Sequence, residues 1–181
     1  MPPTLISRKK VYENFFLVEE LVCQAHNSEG QFKRFVLARP DSAAVLLHNK
    51  ELDEIIFVKQ FRAPAIDKND PQLLELPAGI VEEAETPEEC ITRESFEEAG
   101  YHPSRLTHIN SFYPSPGISS ERIHVYYGEV ADSDKQGPGG GMPEEHEDLE
   151  LVSVSKEEAK AMIKDGRIMD AKTIIALQWL Q

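Results

Sequence analysis

Residues 79–101 read GIVEEAETPEECITRESFEEAGY, and this stretch decides how the rest of the chain is read. Thr86 is a helix-capping residue, Pro87 suits a first turn, and Glu89 stands where a capping box wants a carboxylate. Gly100 supplies a left-handed stop. On the helix between them Glu94, Glu97 and Glu98 stand at i, i+3 and i+4, so three carboxylates share one face. Like charges at that spacing repel by about 0.2–0.5 kcal/mol per pair. A hard divalent cation held by carboxylate oxygens offsets such repulsion, and a cation that also prefers phosphate oxygens points to phosphate chemistry. The alternative is a solvated acidic helix.

The spacing resembles the Nudix box. In that pattern a glycine is followed after five residues by Glu, and after seven more by Arg-Glu-apolar-any-Glu-Glu-any-Gly-apolar. Gly79, Glu85, Arg93, Glu94, Glu97, Glu98 and Gly100 all match. Ser95 departs, standing where the family carries an aliphatic residue, which should weaken local packing without touching a metal ligand. The resemblance implies an α/β (α+β) fold, the Nudix αβα sandwich with a mixed sheet.

The remaining chain is compatible with one enzyme domain. Its 181 residues suffice for a core, and no apolar run reaches membrane-spanning length. The start MPPTLISRKK lacks a secretory hydrophobic segment, so a cytoplasmic protein is expected. Cys23 and Cys90 have no paired spacing, which argues against a disulfide framework or a zinc site. A net charge of −13 argues against nonspecific binding to nucleic acid or an anionic membrane.

Strand-like runs cover 15–25, 32–38, 43–48 and 54–61, with a hairpin turn at Asn27-Ser28-Glu29-Gly30. Further strands are expected at 106–112, 123–130 and 149–154. Helices are expected at 155–165, capped by Ser155 and Glu158 and ended by Gly166, and at 171–180, whose apolar content implies a buried end. Residues 135–148 (KQGPGGGMPEEHED) show no periodicity and read as a mobile surface loop. That loop either carries Glu144, Glu145 or Glu147 towards metals as a lid, or is exposed and idle. Arg34 and Arg62 suit a phosphate clamp or a surface ion pair. Residues 115–121 (SPGISSE) form a turn whose hydroxyls and carboxylate suit sugar or phosphate, or a plain turn.

Within the Nudix family the chain resembles the ADP-ribose pyrophosphatase and nucleotide-sugar hydrolase branch over nearly its whole length. The markers are the Ser-Pro-Gly-any-any-Ser-Glu turn, the LELPAG approach at 74–79, the acidic loop with Glu145, Glu147 and Asp148, and the ending IALQWLQ at 175–181. The Gly-Gly-Gly at 139–141 is similar to that of relatives that cleave GDP-mannose. The resemblance implies hydrolysis of a nucleotide-sugar diphosphate, of ADP-ribose or alternatively of GDP-mannose. A catalytically silent nucleotide sensor is the reading from another class.

Carried over by residue, Glu94 and Glu98 become the principal Mg²⁺ ligands (Mn²⁺ as an alternative), with Glu97 nearby and the Ala78 carbonyl completing the site. Arg93 orients these carboxylates, Glu85 ties the box loop to the helix, and Glu145 or else Glu147 handles the attacking water. Arg34, Arg62, Ser115, Gly117 and Glu121 fall to the substrate, and Phe16, beside Phe15, to base stacking. Residues 1–42 are expected to be an N-terminal antiparallel β arm that exchanges in a domain-swapped homodimer, and 43–181 the hydrolase domain.

Overall fold

The computed structural model describes residues 4–26, 30–68, 71–142 and 147–180. They divide into two compact units, Met1–Asp41 with Phe112–Arg122, and Ser42–Ser111 with Ile123–Gln181.

The first unit is a three-stranded antiparallel sheet in the order β1 (Thr4–Glu13), β2 (Leu17–Gln24), β3 (Gln31–Ala38). The hairpin expected between the last two strands is present, although residues 27–29 of its turn lie outside the described residues. β1 was not foreseen, for a physical reason. All ten of its residues are exposed, so no buried face imposes the alternation by which a strand is recognised. Segment 112–122 joins this unit through a parallel bridge between Leu37 and Ser119 and a hydrogen bond from the Leu37 N–H to the Ile118 carbonyl, 2.8 Å.

The second unit is built on a mixed sheet in the order β10 (Glu150–Ser155), β5 (Glu54–Phe61), β4 (Ser42–Asn49), β9 (Ile123–Val130), β8 (Arg105–Phe112). Two short strands were missed in the sequence. β6 (Gln72–Glu75) pairs with β5, and β7 (Ala78–Ile80) pairs with β4. At four and three residues they are too short to show a period. β4 and β9 run parallel; the pairings of β4 with β5 and β7 are antiparallel.

Alternation along β4 sorts the core into two faces. Ala43, Val45 and Leu47 pack with Cys90, Ile91 and Ala99 of helix α1 (Pro87–Ala99), together with Tyr101 and Tyr126. The intervening side chains face the opposite way. There His48 Nδ1 meets the Tyr127 hydroxyl at 3.0 Å, and Tyr127 packs on Trp179 of helix α3 (Ala171–Trp179). Helices therefore cover both faces, the αβα arrangement expected. Helix α2 (Lys156–Lys164) starts at the Ser155 cap, and α3 starts at Asp170.

α1 forms where the caps put it. Thr86 Oγ1 accepts the Glu89 N–H, and the Glu89 carboxylate accepts the Thr86 N–H at 2.8 Å. Ser95, the residue that breaks the apolar pattern, is fully buried, and its hydroxyl donates to the Ile91 carbonyl at 2.6 Å. The polar group is thereby satisfied within the helix, so the departure does not leave an unpaired donor in the core. Gly100 ends the helix at φ 77°. A Cβ there would run into the Gly137 carbonyl, so glycine is required by space as well as by conformation.

Gly166 has a similar φ of 82° but nothing within 4 Å of an added Cβ. Gly166→Ala is therefore expected to cost about 1 kcal/mol of conformational strain. Gly100→Ala should cost roughly 1–3 kcal/mol more through overpacking. Urea denaturation of the two variants checks the difference; equal losses would contradict the contact.

Candidate active site

The carboxylates of α1 differ in how they are held. Glu98, 3% exposed, accepts the Ala78 N–H through Oε2 at 2.9 Å. Glu94, 8% exposed, is bound by Arg93 Nη1 at 2.7 Å. Glu97 accepts from the same Nη1 at 3.0 Å. Arg93 also donates through Nε and Nη2 to Glu85, at 3.1 and 3.2 Å. One guanidinium thus gathers three carboxylates, and Glu85 turns back to accept the Glu82 N–H at 3.0 Å, closing the loop that leads into the helix.

Gly79 has a local explanation. A Cβ at this position would overlap the Glu94 carboxylate, so glycine leaves room for it beside strand β7 and any other residue would force the Glu94 side chain to shift. Ala78, the neighbouring residue, pairs with Ala44 of the central strand, and that pairing fixes the edge against which Glu94 and Glu98 lie.

Burial disfavours the charged form of both acids. For Glu94 it outweighs the Arg93 contacts, and with the charges of Glu97 and Glu147 lifts the pKa to about 7. For Glu98, burial and then the charges of Glu94 and Glu147 outweigh the Ala78 N–H and Lys172, lifting it to about 8. Arg93 shifts the other way; its bonds to Glu85, then to Glu94 and Glu97, hold it charged against burial. Cys90, beneath this cluster, is pushed up to about 12 by burial and by Glu85 and Glu94, so its thiol is inert.

A divalent cation fits this donor set: oxygen ligands only, crowded, and short of positive charge. Among the described residues no three His, Cys, Asp or Glu side chains already converge into a cage. The cause is visible in the bonds above, since Glu94, Glu97 and Glu98 are turned towards Arg93 and the Ala78 N–H.

Other expected site residues fall in several settings. Glu144 and Glu145 lie outside the described residues. Glu147 is described; its carboxylate accepts the Met142 N–H at 3.1 Å, and its charge reaches Glu94 and Glu98. Arg62 makes a two-point ion pair with Glu75, Nε to Oε1 at 2.8 Å and Nη2 to Oε2 at 3.0 Å, which uses two of the five guanidinium N–H groups.

In the first unit Arg34 donates to the Lys33 carbonyl and lies over the Phe32 ring, 4.6 Å from its centre. The Ser115 carbonyl accepts the N–H groups of Ile118 and Ser119, which makes a tight turn with Gly117 inside it. Glu121 faces Arg39, 3.8 Å from its Nε. Phe15 and Phe16 are both exposed and meet edge to face, so neither is a core residue.

Two features escaped the sequence reading. Glu75 is buried between Arg62 and Lys172, and Lys172 also pairs with Asp170 at 3.1 Å. Burial alone would raise Glu75; the two cations more than reverse this and hold it at about 2. Lys172, the one charged residue of α3, was the available signal. The second feature is the glycine run. Residues 136–141, expected in a mobile loop, are instead docked on the end of α1. Gln136 and Gly137 donate to the Gly100 carbonyl, Gly140 to that of Glu98 at 2.8 Å, and Gly141 to that of Glu97 at 3.1 Å.

The fold and this cluster define a Nudix enzyme scaffold, and a NUDIX domain model matches residues 38–173. The chain belongs to the Nudix family. It is 36% identical over 182 residues to the GDP-mannose pyrophosphatase of Citrobacter koseri, with 98% of this chain and 94% of that protein covered. The proteins of the same name from Cronobacter sakazakii and an Escherichia coli strain are each 35% identical with the same coverage. The fold matches that of an ADP compounds hydrolase with a TM-score of 0.79 over 99% of this chain and 92% of the other, at 18% identity.

The raised acids set the sign of a pH effect. A carboxyl whose folded pKa exceeds its unfolded one binds protons more strongly when folded, so stability falls as pH rises between the two values. In metal-free buffer the melting temperature contribution of Glu98 should fall from pH 4.5 to about 8. Glu98→Gln should flatten that slope in thermal melts followed by circular dichroism. An unchanged slope would contradict the burial of a titrating Glu98. Glu75 acts oppositely, its contribution being lost only as pH falls from 4.5 towards about 2.

Proposed function

We propose that the chain hydrolyses the diphosphate bond of nucleoside diphosphate sugars in a reaction that depends on a divalent metal, with GDP-mannose the first substrate to test and ADP-ribose the competing one. The carrying observation is a complete set of charged box side chains in a chain that aligns over 98% of its length with GDP-mannose pyrophosphatases. Loss of a box glutamate, the mark of a silent sensor, is not seen.

In this reading Glu94 and Glu98 hold Mg²⁺ or Mn²⁺, with Glu97 nearby and the Ala78 carbonyl as a further ligand. The bound metal supplies charge neutralisation and a more acidic water. Arg93 keeps Glu94 and Glu97 oriented, the duty of a residue behind the ligands. A carboxylate of the acidic loop, Glu147 or Glu145, accepts the proton of the attacking water. Arg34 and Arg62 hold phosphate, Arg62 through the N–H groups that Glu75 does not occupy. Ser115, Gly117, Glu121 and Phe16 belong to the sugar and base side. GDP-mannose would yield GMP and mannose 1-phosphate; ADP-ribose would yield AMP and ribose 5-phosphate.

Residues 1–42 form a dimerisation arm in the same reading, exchanged between two copies. It is supported by the exposure of every residue of β1, among them Leu5, Ile6, Val11 and Tyr12. A cytoplasmic setting suits the two free cysteines.

Incubation with equal GDP-mannose and ADP-ribose, with Mg²⁺ or chelator, and separation of products by ion exchange tests the proposal. GMP release that is lost in chelator is expected, and Glu98→Gln should lower it by about 10²-fold or more while the protein stays folded. Faster AMP release would make ADP-ribose the substrate. Tight binding without cleavage of either would overturn hydrolysis in favour of a sensor.

A further inference from the structure

The three glycines at 139–141 have left-handed φ values of 67°, 100° and 82°. Glycine composition by itself explains none of this, since a flexible linker has no need to hold such angles. The contacts explain it. The Gly140 and Gly141 N–H groups cap the Glu98 and Glu97 carbonyls, which α1 leaves without partners at its C-terminal end. A Cβ on Gly139 would come to 2.7 Å from the Glu98 carbonyl oxygen and 2.8 Å from the Ala99 carbonyl carbon. A Cβ on Gly141 would come to 2.7 Å from both Cβ and Oε2 of Glu147. The backbone therefore lies flat on the helix end, and the gap at Gly141 is filled by the Glu147 side chain.

The far side of the loop returns to the same place. The Glu147 carboxylate accepts the Met142 N–H at 3.1 Å, the Glu147 N–H points back to the Met142 carbonyl at 3.4 Å, and the Leu149 N–H donates to the Gly140 carbonyl at 3.2 Å. The near limb is thus pinned to the Glu97 and Glu98 carbonyls, and the far limb is pinned to the near one. We propose that Gly139, Gly140 and Gly141 are positioning residues for the hydrolysis, a backbone mould that seats the Glu147 carboxylate at the C-terminal end of the metal-binding helix. The inference rests on the reading above, in which a carboxylate of this loop serves the reaction. It goes further in naming Glu147 as that carboxylate and the glycines as what aims it.

A double-mutant cycle on the full chain tests it, with Gly139→Ala, Glu147→Gln and the combination assayed on the nucleotide sugar that the wild type cleaves. Gly139→Ala should lower kcat about 10- to 100-fold, the scale of a small misplacement at a reacting centre, with KM nearly unchanged. In the Glu147→Gln background the same substitution should change kcat by less than about twofold, because coupled residues are non-additive. Equal losses in both backgrounds would mean that Gly139 acts through Glu98 or the helix itself and would overturn the proposal. So would a Glu147→Gln enzyme of wild-type kcat.

Gly166→Ala, strained in φ but touching nothing, controls for a general loss of stability and should keep wild-type kcat. If Gly139→Ala does not fold, Gly141→Ala, whose nearest clash is with Glu147 itself, replaces it in the cycle. A wild type inactive on every nucleotide sugar defeats the proposed function. An additive cycle in an active enzyme defeats only the mould.

Discussion

The rest of the structure is arranged around one electrostatic difficulty, the burial of Glu94 and Glu98 one turn apart on α1. Two neighbouring carboxylates are costly to remove from water, and the chain counters this with a small number of specific groups. Arg93 reaches Glu85, Glu94 and Glu97 together. The Ala78 N–H serves Glu98, and the missing side chain of Gly79 makes room for Glu94. The last two depend on β7 lying along β4, so the central strand helps set the position of the site as well as the core.

Compensation remains incomplete. Both acids keep pKa values far above the ordinary carboxylate range, chiefly through burial, so a cation arriving there would compete with protons. By contrast Glu75, equally buried, is held at about 2 by Arg62 and Lys172. The difference separates a carboxylate built into the frame from carboxylates left short of positive charge. Shifts of the second kind, in neighbouring buried acids, are a pattern found at working sites.

The box and the order of the main elements were legible in the sequence because they are local. A capping box, a left-handed glycine and an i, i+3, i+4 face are written within 23 residues, and strands β4 and β5 carry continuous apolar runs. What escaped was non-local or lacked a pattern. β1 buries nothing, so its residues carry no alternation. The Glu75–Lys172 pair spans 97 positions of sequence. The Gly-Pro-Gly-Gly-Gly segment looks like a linker because composition records freedom of the backbone, while its positive φ angles and its bonds to the end of α1 record the use made of that freedom. Arg62 suits a phosphate clamp or an ion pair in the sequence, yet its two-point partner Glu75 sits in a short strand that has no periodicity to reveal it.

The central claim is that Glu94 and Glu98, buried one turn apart, are the carboxylates a divalent cation would bind in competition with protons. Calorimetric titration with Mg²⁺ or Mn²⁺ near neutral pH, repeated in buffers of different ionisation enthalpy, counts those protons directly. The account predicts net proton release near pH 7, shrinking as the pH passes about 8, and smaller in Glu98→Gln. Metal binding with no proton release at pH 7 would contradict it.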